Sequence, residues 1–391
     1  MKVPKSFLDS EETVELLKQL VRINSVNPSL APGGAGEADI AEYVSGFMKE
    51  IGLEVDIDEV KPGRVNVTGT LKGIGGGPTL MLNGHTDTVG IDHMEIEPLD
   101  PYVKDGKLYG RGSYDMKCGL ASILASSKAV VESGMRLRGD LVIAGVCDEE
   151  YASIGAESLI DKVRVDAAIV TEPTELQIMV AHKGFAWIDV DASGVAAHGS
   201  QPEAGVDAIT KMGRVLVRLE ELQTRLERKS HRFVGSPSVH ASIIQGGREL
   251  STYPDHCRLQ IERRTVPSET RSELEIEMNS LLSAVKKEDP KFSATYNIFF
   301  LRDPMEIPTD ALICKVLQKC VREVMEREPG FVGGSGWGDT QIFWSRGVPA
   351  VNFGPTGAGA HSAVEYVEVE SVLTSARILE LAAIDFCGRA E

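Results

Sequence analysis

Thr79-Leu80-Met81-Leu82 runs directly into Asn83-Gly84-His85-Thr86-Asp87-Thr88-Val89. A short apolar run that ends at a turn-prone pair predicts a strand buried on both faces. The same signature recurs twice. The apolar run 141–146 meets Cys147-Asp148-Glu149-Glu150, and 167–170 meets Thr171-Glu172-Pro173-Thr174. Buried strands separated by helical stretches predict an α/β domain with a largely parallel sheet. In such sheets the carboxyl ends of the strands are where sites are built.

Outward from these strands, 11–22 and 37–51 have helical apolar spacing with acidic first turns. Strands are predicted at 53–57 and 65–71, and a helix of small residues at about 116–133. After residue 182 the pattern changes. Residues 185–192 alternate like a half-exposed strand. A helix over 205–228 carries Val206, Ile209, Met212, Leu216, Leu219, Leu222 and Leu226 as one stripe. Strands near 239–245 and 257–262 follow, then a helix with Leu274, Met278, Leu281 and Val285 on one face. This β-α-β-β-α-β order predicts an α+β unit of ferredoxin-like type. From 299 the first pattern returns, with a helix over 309–326 and an apolar strand at 349–353. The expectation is therefore a discontinuous α/β domain, 1–181 and 299–391, interrupted by an inserted domain, 182–298.

The 391 residues suit two domains, and 42% apolar with 25% charged residues is a globular composition. A net charge of −17 argues against nucleic acid and anionic membranes, which call for a basic surface. No apolar run reaches the roughly 18 residues that span a bilayer. Met1-Lys2-Val3-Pro4-Lys5 lacks the apolar stretch of a signal peptide, so a cytoplasmic location is expected. The six cysteines include no Cys-x-x-Cys pair and read as reduced thiols.

Five segments carry candidate chemistry. His85, with Asp87 two positions on, has the pattern of a metal-binding imidazole oriented by a carboxylate, although a lone histidine is more often structural. Asp115, in Gly110-Arg111-Gly112-Ser113-Tyr114-Asp115-Met116-Lys117, sits where a helix begins and would serve equally as an N-cap. Asp148, Glu149 and Glu150 are three consecutive acids, which repel one another unless cations are near. Adjacent side chains on an extended chain point apart, so one carboxylate can bind metal while its neighbour acts on water. Glu172 follows a buried strand, and Gly354-Pro355-Thr356-Gly357-Ala358-Gly359-Ala360-His361-Ser362 is a glycine-rich loop delivering a second histidine. Two histidines and several carboxylates suit zinc, with cobalt or manganese as substitutes. One bridging carboxylate plus one histidine and one carboxylate per metal makes a two-metal site. A dinucleotide-binding reading fails, because Gly73-Ile74-Gly75-Gly76-Gly77 leads into Pro78 and a strand instead of a helix N-terminus.

The segments GHTDTV, GRGSYDMK, DEEYASIGAE, TEPT and GAGAHS, in this order, resemble those of the acetylornithine deacetylase, succinyl-diaminopimelate desuccinylase and carboxypeptidase G family of di-zinc hydrolases. The resemblance implies that His85 and Glu172 hold one zinc, Glu150 and His361 the other, and that Asp115 bridges them. It further implies Glu149 as general base, with Asp87 orienting His85. Spacing alone does not separate Glu149 from Glu150. The inserted block is similar to that family's lid and dimerisation domain, which implies a homodimer. Within the insert, Gly194-Val195-Ala196-Ala197-His198-Gly199-Ser200 implies a role for His198 at the developing oxyanion. Glu262-Arg263-Arg264-Thr265-Val266-Pro267 implies that Arg264 binds the substrate's carboxylate. Ser251 stands where the family often has asparagine, as a shorter substrate contact. The expected substrate is a small N-acyl amino acid, with a short peptide (dipeptidase or carboxypeptidase action) or a non-catalytic relative as alternatives.

Overall fold

Leu80, Met81 and Leu82 are fully buried in the strand Leu80–His85, which runs parallel to both neighbours. Leu141–Val146 lies on one side in register Leu80↔Leu141 through His85↔Val146, and Ala167–Val170 on the other. Ala350–Asn352 extends the parallel set beyond Ala167–Val170. Every residue of the strands Leu80–His85, Leu141–Val146 and Ala167–Val170 is buried, which is why they read as unbroken apolar runs. Antiparallel strands flank this core. Arg64–Leu71 pairs with Leu141–Val146, and Glu54–Lys61 pairs with Arg64–Leu71. The result is a mixed α/β sheet with a mostly parallel centre.

The computed structural model describes residues 6–390; residues 1–5, examined above for a leader, lie outside them. The chain divides into two units. The first holds the parallel sheet and comprises the chain up to Val180, Ile307–Val332 and Gly338 onward. Helices Ser10–Arg22, Lys117–Glu132 and Val369–Cys387 pack together in it. A Cβ on Gly119 would lie 2.2 Å from the Thr171 carbonyl, so only glycine lets helix Lys117–Glu132 start this close to the strand that leads to Glu172. A small antiparallel sheet, Gly357–Ala358 with Tyr366–Glu368, Lys107–Tyr109 and Tyr102–Lys104, frames the His361 loop.

The second unit comprises Ala181–Glu306 and Gly333–Trp337. Its four strands are antiparallel in the order Ser238–Gly246, His256–Thr265, Gly184–Ser193, Ser293–Arg302. Helices Ala208–Leu226 and Arg271–Glu288 close one face over Ala186, Ile188, Val190, Leu259 and Ile261. Two details differ from the sequence reading. The last strand stays paired with Gly184–Ser193 as far as Arg302, past residue 299, because the ladder continues through Arg302↔Phe185. The buried stripe of the first helix is Ala208, Met212, Val215, Leu219, Leu222 and Leu226; Ile209 points outward at 44% exposure, and Val206 precedes the helix. No described helix is long and apolar enough to cross a membrane.

Candidate metal centre

His85 is the last residue of its strand, and strand burial leaves it 1% exposed. Its Nε2 lies 3.3 Å from Asp115 Oδ1 and 3.6 Å from Glu172 Oε1. Asp115 turns its other oxygen, Oδ2, to His361 Nε2 at 3.3 Å, and the same nitrogen lies 2.9 Å from Glu150 Oε2. Two groups of potential ligands result, His85 with Asp115 and Glu172, and Asp115 with Glu150 and His361, each with its ligand atoms within 4.8 Å of one another. Asp115 belongs to both. The N-cap alternative for Asp115 does not hold, since the helix is capped at Met116 without a side-chain bond.

Glu149 belongs to neither group, although it follows the same strand. Asp148 has φ 68°, in the left-handed region that aspartate tolerates better than most residues, and its carbonyl accepts from Tyr151 N, Ala152 N and Ser153 N. Beyond this tight turn the Glu150 carboxylate reaches His361, and Glu149 joins neither ligand group.

The side chain of Asp87 has a different task from the one expected. Nδ1 of His85 is 3.0 Å from the backbone carbonyl of Asp87, whereas the carboxylate is 3.6 Å away, too far for a hydrogen bond. The carboxylate is taken up by other donors. Oδ1 accepts from Glu149 N at 3.1 Å, and Oδ2 accepts from Glu150 N at 3.2 Å and Asn27 Nδ2 at 2.8 Å. The His85 tautomer is thus set by main chain, with Nε2 left to face Asp115 and Glu172.

Electrostatics mark the site as deficient in positive charge. Burial, followed by repulsion from neighbouring carboxylates, pushes the Glu149 carboxyl well above its ordinary range. The same causes raise Glu150, and they push Glu172 up to about 8. Burial opposes the charged form of His85, yet the Glu172 carboxylate, the Asp115 bond and Asp87 lift its pKa well above the usual value. Hydrogen bonds to Asp115 and Glu150 push His361 up to about 10. Oε1 of Glu150 and Oε1 of Glu172 are buried and have no hydrogen-bond partner. Such oxygens are costly to bury. Divalent cations would relieve them, and a donor set of imidazoles and carboxylates suits zinc, cobalt or manganese.

A second layer holds the first in place. Glu365, fully buried, accepts from Arg111 Nη1 at 2.6 Å and from the backbone N–H groups of Gly112, Tyr114 and Asp115. Arg111 also donates to the carbonyls of Gly90 and Ser362, which ties the Asp115 and His361 loops together. Asn27, Glu37, Arg64, Arg111 and Glu365 all escape the sequence reading. The one local signal is Glu365, four residues beyond His361 in an otherwise apolar context.

Three expected site residues lie in the second unit. His198 is exposed; Ser200 N donates to its Nδ1 at 3.2 Å, so Nε2 carries the hydrogen in the neutral ring. Ser251 is beside it, its carbonyl accepting from Gly199 N at 2.8 Å. Arg264 is held by Glu262 at 2.6 Å and lies 5.0 Å from the centre of the Phe185 ring.

Comparison with known proteins places this geometry in context. The family described as Peptidase family M20/M25/M40 matches residues 81–385. The N-formyl-4-amino-5-aminomethyl-2-methylpyrimidine deformylase of Bacillus subtilis (strain 168) is 27% identical, over 97% of this chain and 95% of its own length. The acetylornithine deacetylase of Myxococcus xanthus is 28% identical, over 89% and 92%. The crystal structure of aminopeptidase PepT from Bacillus cereus superposes with a TM-score of 0.80 at 21% identity, covering 97% of this chain and 99% of that one.

Proposed function

The chain belongs to peptidase family M20/M25/M40, and we propose that it hydrolyses the amide bond of a small N-acyl amino acid, with Glu149 as general base beside two bound divalent cations. The observation that carries this reading is the sharing of Asp115 by two ligand groups, with Glu149 adjacent and in neither. The deformylase and deacetylase relatives are both named for removing an acyl group from nitrogen, which supports deacylation, and the name of the second supports an amino acid as the acyl carrier.

His85, Asp115 and Glu172 would hold one cation, and Asp115, Glu150 and His361 the other. Zinc in such a site supplies Lewis acidity and lowers the pKa of a water to about 7. Glu149, which follows the same strand as Glu150 but belongs to neither ligand group, takes a proton from the attacking water. Oxygen adds to the carbonyl carbon, the C–N bond breaks, and Glu149 returns the proton to the leaving nitrogen. His198, with hydrogen on Nε2, is assigned as donor to the developing oxyanion, Arg264 as partner of the substrate carboxylate and Ser251 as a substrate contact. The half-exposed Ile243 and Ile244 on the edge strand Ser238–Gly246 support a homodimer built through the second unit.

The test is turnover of N-acetyl, N-formyl and N-succinyl amino acids and of dipeptides by zinc-loaded protein, with and without chelator. Chelator-sensitive release of amine from an N-acyl amino acid is the expected result. Cleavage of dipeptides alone would replace the deacylase with a peptidase, and no turnover by protein holding two metals would end the enzymatic proposal.

A further inference from the structure

Beneath the acids at the end of strand Leu141–Val146 lies a buried network that the reaction as derived above does not use. Asn27, Asp87 and Asp148 are 0%, 0% and 1% exposed. The two amide hydrogens of Asn27 go to two different carboxylates, Asp87 Oδ2 at 2.8 Å and Asp148 Oδ1 at 3.0 Å. The amide itself is fixed on every side. Its Oδ1 accepts from Ser29 N at 2.9 Å, Asn27 N donates to the Thr88 carbonyl at 2.8 Å, and Thr88 N donates to the Ser25 carbonyl at 3.0 Å. Asp148 is anchored from the far side by Arg64 Nη2 at 2.7 Å. That guanidinium also grips both oxygens of Glu37, at 2.7 and 2.6 Å, and reaches Ser29 Oγ at 3.0 Å.

Three carboxylates, Glu37, Asp87 and Asp148, therefore surround one guanidinium and one neutral amide. Arg64 supplies charge to Glu37 and Asp148, while Asp87 faces Asn27 and the two backbone N–H groups of Glu149 and Glu150. The Asn27 amide thus spans the residue that begins the acidic turn, Asp148, and the residue that receives the next two N–H groups of that turn, Asp87. Rotation of the turn about either contact would swing the Glu149 and Glu150 carboxylates, and buried amide bonds to two carboxylates resist it.

We propose that Asn27 is a positioning residue: by bridging Asp87 and Asp148 it fixes the turn that aims Glu149 at the attacking water and Glu150 at its metal. The role requires an amide. Aspartate at this position would have nearly the same shape, but it would offer no donor to either carboxylate and would add a negative charge against Asp87 and Asp148. Alanine would remove both donors and add no charge. Filling space and positioning thus make opposite predictions for the two substitutions, since a residue that only packs is better replaced by its isostere. This inference rests on the two-metal reading above.

The experiment compares Asn27→Ala, Asn27→Asp and a core truncation outside the network, Val130→Ala, in the full-length protein. The readouts are kcat and KM, metal affinity by calorimetry, the visible spectrum of the cobalt-substituted protein, and the melting temperature of the metal-free protein. The expected result is a kcat about 10–100-fold lower in Asn27→Ala with KM within about two-fold, a larger loss in Asn27→Asp, and a changed cobalt spectrum in both. Val130→Ala should lower the melting temperature and leave the spectrum unchanged. If Asn27→Asp does not fold, Asn27→Ala against Val130→Ala carries the test. Wild-type spectrum and kcat in Asn27→Ala, or a milder effect of aspartate than of alanine, would overturn the positioning role. A wild-type protein that binds no metal would instead overturn the reading on which the inference rests, so the two failures are separable.

Discussion

Nδ1 of His85 lies 3.0 Å from the main-chain carbonyl of Asp87 and 3.6 Å from its carboxylate, so one residue orients the imidazole with its backbone and the acidic turn with its side chain. Asp87→Ala should therefore retain two metals per chain, because the carbonyl that sets the His85 tautomer survives. Turnover should fall roughly 10–100-fold as Glu149 N and Glu150 N lose their acceptors. Metal analysis alongside kcat checks this. Loss of one metal equivalent would show that the carboxylate orients His85 after all.

Glu149→Gln removes the proton acceptor and keeps the size of the side chain. Turnover should drop roughly 10²–10⁴-fold, the usual worth of general acid–base catalysis, with metal content unchanged. Steady-state kinetics on the best substrate of the panel, with metal quantified in the same sample, decides it. Unchanged kcat would remove Glu149 from the chemistry.

Glu365→Ala should be among the most destabilising single changes in the first unit. It strands the buried Arg111 guanidinium and three backbone N–H groups, a loss of about 3–5 kcal/mol for breaking a buried pair. Urea unfolding of the metal-free protein measures it. A change below about 1 kcal/mol would mean that the Asp115 and His361 loops hold their shape without the clamp.

His182 gives the second unit an acid-sensitive element. Burial pushes its imidazole down to about 4 from an ordinary 6.5, so between those values the unfolded chain binds a proton that the folded chain refuses. Stability therefore falls as pH drops through that window, by at most roughly 3 kcal/mol from this group. His182→Gln should narrow the gap between melting temperatures at pH 7 and pH 4.5. An unchanged gap would show that other groups govern acid unfolding.

Much of this arrangement is legible in the sequence, and what is not has physical reasons. Strands at 80–85, 141–146 and 167–170 are buried on both faces, so their composition leaves little choice; the first ends at His85, and the other two lead within a few residues to Glu149 and Glu150 and to Glu172. No helix is predicted over Val369–Cys387, because it is buried nearly all round and even contains the buried Glu380, so no amphipathic stripe exists to be found. Asn27, Arg64 and Glu37 are invisible for another reason. Each type is ordinarily a surface residue, and what unites them is a meeting with Asp148 from positions 121, 84 and 111 residues away in the chain. The distinction between Glu149 and Glu150 likewise depends on which carboxylate meets His361, a long-range contact that spacing does not carry.

Metal titration of the demetallated protein shows whether two cations share Asp115. Wild type should bind two equivalents of zinc, Glu172→Gln and Glu150→Gln should each keep one tight equivalent, and Asp115→Asn should weaken both. A wild-type stoichiometry of one, or two tight equivalents retained by Asp115→Asn, would rule out a pair of cations bridged by Asp115.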